Sequence, residues 1–127
     1  MTRIGKRSFI FATVLVGALT GCGGSSSSTP TTALVADVVV IAKNGIRLDQ
    51  SSYSALTGDI SIAYVDEDSI RHTLVIVKDG SEVAGFELKV NKKGDVDQAT
   101  VNLEPGTYTL MCTVPGHQNM EASFTVK

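Results

Sequence analysis

Cys112, His117 and Met120 fall within nine residues of one another in the last stretch of the chain, TYTLMCTVPGHQNMEASFTVK, residues 107–127. A thiolate, an imidazole and a thioether are soft and borderline donors, the set that suits copper. Their spacing predicts a strand that ends on Cys112, a tight loop carrying His117 and Met120, and a closing strand. One loop does not complete a His₂Cys site, which needs a second imidazole. The chain contains 2 histidines, and the other, His72, lies in the apolar run RHTLVIV. Both histidines and Cys112, the one cysteine beyond the export signal and its lipidation residue, can therefore share a site. Zinc accepts His₂Cys as well, but the thioether favours copper. The same residues also allow a Cys112–His117 nucleophilic pair. No obvious third group orients that imidazole, and a strand-end thiol in an apolar setting is not activated by position alone, so the chain is read as a non-enzyme.

The first residues carry an address rather than a fold. Arg3, Lys6 and Arg7 precede an apolar run, Ser8 to Leu19, that is too short to span a membrane, and small residues follow. That order is a secretory signal over residues 1–21. Its ending, Leu19-Thr20-Gly21-Cys22, resembles the bacterial lipobox, which implies a lipid on Cys22 and a membrane anchor outside the cytoplasm. Residues 22–32 are mostly Gly, Ser, Thr and Pro, the composition of a flexible tether. With Cys22 acylated, Cys112 has no partner for a disulfide, and metal ligation is a use for the lone thiol. Removing residues 1–21 lowers the 11 basic residues to 8 against 13 acidic ones, about −5 overall. Such a balance argues against a nucleic-acid partner.

Residues 33–127 must supply the elements that bring His72 to the final loop. Strand patterns dominate, and no apolar run of helix length shows a 3.6-residue period. Leu34 to Lys43 is valine-rich and ends at the turn pair Asn44-Gly45. A second extended or turn region holds Ile46, Leu48 and Tyr53. Ile60, Ile62 and Tyr64 alternate with Ser61, Ala63 and Val65, and His72 to Lys78 alternates again. Glu82 to Val90 is strand-like with an irregularity at Gly85, and Asn91 to Gln98 reads as a solvated loop. Val101 and Leu103 form a short strand, and Pro105-Gly106 turns the chain. Tyr108, Leu110 and Cys112 then share one face, as do Phe124 and Val126. About seven to eight strands with turn signals between them predict an all-β, antiparallel sandwich with Greek-key connections. Asp66, Glu67 and Asp68 read as a solvated loop before His72, or as an acidic rim for a basic partner.

With these residues in hand the chain resembles the cupredoxins, the small blue copper proteins of the plastocyanin and azurin type, over roughly residues 35–127. The resemblance implies one copper ion held by His72, Cys112, His117 and Met120, in the family's order of an early His followed by Cys, His and Met. Cys-Thr-Val-Pro-Gly-His at 112–117 looks like the azurin form of the loop. Only Gln118 and Asn119 separate His117 from Met120, as in amicyanin, and Gln118 is the alternative axial ligand. Thr73 stands where the family often has Asn, and with Thr113 it is the candidate for tying the two ligand segments together. Arg71 stands where many members have proline or a small residue. The resemblance further implies single-electron transfer between protein redox partners by a monomer, with His117 near the surface and His72 more buried. The alternatives are copper storage, delivery or sensing on the same fold, and a metal-free structural lipoprotein. A binuclear oxidase-type domain is excluded by the lack of a second cysteine in the loop.

Overall fold

Wherever every second residue is apolar an extended chain can bury one face, because successive side chains point to opposite sides of a strand. The computed structural model describes residues 34–127, and the expected leader (1–21) and the Cys22 tether (22–32) lie outside the described residues. The described elements are all strands: β1 (Val38–Lys43), β2 (Arg47–Leu48), β3 (Ser52–Ala55), β4 (Gly58–Asp66), β5 (His72–Lys78), β6 (Ser81–Glu82), β7 (Leu88–Val90), β8 (Val96–Leu103), β9 (Gly106–Met111) and β10 (Glu121–Val126).

They form two sheets, ordered β2-β1-β4-β8 and β3-β10-β9-β5-β6, with β7 also paired to β5. The inner faces close on one core. Val38, Val40 and Ala42 of β1 and Ile60, Ile62 and Tyr64 of β4 meet Leu74 and Ile76 of β5, Tyr108 and Leu110 of β9, and Phe124 and Val126 of β10. The expected all-β sandwich is thus what the chain adopts.

Three expectations need correction. The sandwich is mixed rather than antiparallel, since β1 runs parallel to β4 and β3 parallel to β10. Between β1 and β4 the chain leaves the first sheet, adds β3 to the second and returns, so β4 reaches β1 with the same direction. Parallel neighbours always require such a crossover. Residues 96–98 are not loop but the start of β8, paired with β4 through Val65↔Val96. This strand is largely polar because its outward positions face water, which hides it from a hydrophobicity reading. Finally, Asp66 and Asp68 are not solvated: they are 1% and 7% exposed. Glu82 to Val90 divides into β6 and β7 around Gly85, whose φ of 79° breaks the extended path.

The sheet order decides what the site receives. Strand β5 lies beside β9, with Val75 opposite Met111 and Ile76 opposite Leu110. That register sets the N-terminal end of β5, where His72 stands, beside the C-terminal end of β9, where Cys112 follows.

Candidate metal centre

Cys112 is carried inward by the alternation of β9, since Tyr108, Leu110 and Cys112 are all buried. Beyond it the chain makes two consecutive tight turns. The His117 amide donates to the Val114 carbonyl (3.0 Å) and the Met120 amide to the His117 carbonyl (2.9 Å). Pro115 and Gly116 occupy the middle of the first turn, with Gly116 at φ 89°. Proline pre-sets the first central position and glycine tolerates the positive φ of the second, the signature of a type II turn. The Cys112 amide then donates to the Met120 carbonyl (3.0 Å), closing the loop at its neck. The main chain alone therefore fixes where Cys112, His117 and Met120 begin.

His72 enters from β5. One donor atom each of His72, Cys112 and His117 lies within 4.8 Å of the others. The Cys112 sulfur is 3.6 Å from Nδ1 of His117, and the two imidazole rings are tilted by 44° with centroids 5.0 Å apart. His72 is wholly buried, Cys112 is 2% exposed and His117 7%, so His117 is the more surface-near histidine, as expected. Among the described residues Cys112 has no disulfide partner. Met120 is wholly buried, whereas Gln118 is exposed.

Two hydroxyls tie the ligand segments together. Thr73 Oγ1 lies 2.8 Å from Thr113 Oγ1 and accepts the Thr113 amide at 2.8 Å. The Thr73 amide donates to the Cys112 sulfur at 3.4 Å. A threonine thus bridges the two segments in the position expected for an asparagine. Arg71, next to His72, is exposed.

The buried polar groups under His72 were not foreseen. Nε2 of His72 lies 3.2 Å from Oδ2 of Asp68. Asp68 Oδ1 accepts the Ser69 amide (2.7 Å), and the Asp68 amide donates to Asp66 Oδ1 (2.8 Å). Burial pushes the Asp68 carboxyl up, but the Ser69 amide, His72 and the Ile46 amide outweigh it and hold the group below the usual carboxylate range. Burial pushes Asp66 up and prevails there. The only signal in the sequence was three acidic residues leading into His72, a pattern that does not tell buried carboxylates from solvated ones.

The donor set fits copper on its own chemistry. Nδ1 of His72 is buried and has no hydrogen-bond partner, an arrangement that normally costs about 1–3 kcal/mol and that a metal ion relieves. It shares its space with a thiolate donor and a second imidazole, and no carboxylate belongs to the cluster. Two nitrogens and a sulfur in a dry, fixed arrangement match the trigonal sites of blue copper.

Comparison with known proteins agrees. The model of the copper binding proteins of the plastocyanin/azurin family matches residues 35–127. Among solved structures, a purple cupredoxin from Nitrosopumilus maritimus is similar at TM-score 0.58 and 21% identity, covering 72% of this chain and 100% of that one. A reduced amicyanin variant is similar at 0.55 and 21%, covering 76% and 89%. An azurin from Methylomonas sp. strain J is similar at 0.60 and 13%, covering 70% and 95%. Comparison with the curated proteins finds no match.

Proposed function

The chain belongs to the plastocyanin/azurin family of copper-binding proteins, and we propose that it is a mononuclear blue copper protein that carries single electrons between redox proteins outside the cytoplasm. Bound copper supplies the one-electron couple. The residues of the chain hold its ligands still and keep water out. The observation that carries this reading is that the protein itself fixes the donors: backbone bonds close the Cys112–Met120 loop, and Thr73 and Thr113 bind that loop to β5. Donors that need not move between oxidation states favour electron transfer over release of the ion. Met120, buried where Gln118 is exposed, is the better axial candidate for a weak fourth contact. His117 is the most exposed of the four ligand candidates, and the exposed Pro115 and Gly116 beside it give a docking face of low polarity.

The leader and Cys22 support a lipid tether to the membrane, from which the protein meets its partners outside the cytoplasm. No enzymatic role is proposed. Voltammetry of the copper-loaded protein is the test. A reversible one-electron wave, with the ion retained through repeated cycles, is expected. Loss of copper to a chelator on each reduction would instead identify a storage or delivery protein.

A further inference from the structure

The loop between β4 and β5 is folded around a carboxylate. Asp68 is 7% exposed and Asp66 1%. The Asp68 side chain accepts the Ser69 amide at 2.7 Å. Its other oxygen lies 3.2 Å from Nε2 of His72, a ring that is wholly buried. The Asp68 main chain is pinned in turn by the Asp66 side chain at 2.8 Å. The loop thus holds one buried acid whose only side-chain partner among the described residues is His72.

We infer that Asp68 is a positioning residue, whose carboxylate fixes His72 in the Nε2–H tautomer and so turns the Nδ1 lone pair toward Cys112 and His117. An ionised carboxylate only accepts, so the proton between the two groups belongs to Nε2. Nδ1 of a neutral ring is then bare, and it is the buried nitrogen left without a partner. A negative charge behind a ligating imidazole also raises its basicity. Asp68 therefore favours the more highly charged cupric ion and lowers the reduction potential relative to a neutral acceptor. The tautomer assignment stands on the metal-free geometry alone, whereas the effect on copper rests on the blue-copper reading above.

Nitrogen-15 NMR of the histidine rings in the metal-free protein is the first arm of the test. His72 is expected as a single Nε2–H tautomer in the wild type and in Asp68→Asn, whose side-chain oxygen still accepts, and as a mixture in Asp68→Leu. A wild-type His72 protonated on Nδ1, or a tautomer unchanged in Asp68→Leu, would overturn the assignment. The second arm compares cupric and cuprous affinity. Both variants are expected to lose cupric affinity by about 10–100-fold, the usual effect of removing such a partner, with a smaller loss for cuprous ion and a raised potential. Equal affinities in Asp68→Asn and the wild type would overturn the charge effect even if Asp68→Leu does not fold. A wild type that binds no cupric ion would defeat the blue-copper reading and leave the tautomer result to stand or fall by itself.

Discussion

The Thr73 hydroxyl lies between two segments that are distant in sequence, 2.8 Å from both the amide and the hydroxyl of Thr113. In Thr73→Val the Thr113 amide loses its acceptor at a site the methyl group keeps dry. Chemical denaturation of the metal-free protein should show a loss of about 1–3 kcal/mol, and Thr73→Ser should recover most of it. The resemblance to the cupredoxins, in which Asn often follows the first ligand histidine, singled out Thr73, with Thr113, as the candidates. Asp66 illustrates what composition hides. Burial raises its carboxyl above the ordinary range, and its Oδ2 has no partner. The folded protein thus holds this proton more tightly than the unfolded chain does. Its contribution to stability is present below the unfolded carboxylate pKa of ~4 and is lost as pH rises through the higher folded value. Asp66→Asn should therefore gain stability relative to the wild type as pH rises from roughly 4 toward 7. A difference that stays constant with pH would show that the carboxyl titrates as in the unfolded chain.

At the scale of elements, β9 is anchored at the end away from Cys112. The Tyr108 hydroxyl donates to the Glu104 carbonyl at 2.9 Å, across the Pro105-Gly106 turn, and Lys78 Nζ stands 4.8 Å from the centre of the Tyr108 ring. Tyr108→Phe should lower the unfolding free energy by about 1 kcal/mol, the net value of one such bond. The copper spectrum should not change, since the bond lies four residues from the ligand. A spectral shift would mean that the corner, and not the ligand loop, sets the geometry at Cys112. The two strands that carry ligands were legible from alternation and turn chemistry, as were the tight loop between Cys112 and Met120 and the break at Gly85. The start of β8 was not. Asp97 and Gln98 are polar and Val96 is exposed, so no apolar face marks it, and only pairing with β4, set by long-range register, makes it a strand. Full burial of Thr73 and Val75 also escaped the alternating pattern of β5, since that strand is covered on both faces.

For the molecule as a whole, the order of residues in the sequence told which groups meet but not how the sheets are wound. The parallel pairs β1–β4 and β3–β10 come from crossovers between sheets, which leave no local mark in composition. The site survived that error because it depends on one adjacency, β5 beside β9, and on the backbone bonds of the final loop. It is this adjacency that lets two imidazoles and a thiolate share one copper ion. The most direct test is the visible and electron paramagnetic resonance spectrum of the mature domain loaded with cupric ion. An intense blue or green colour, lost in Cys112→Ser, is the predicted result. A colourless adduct of the wild-type protein would contradict it.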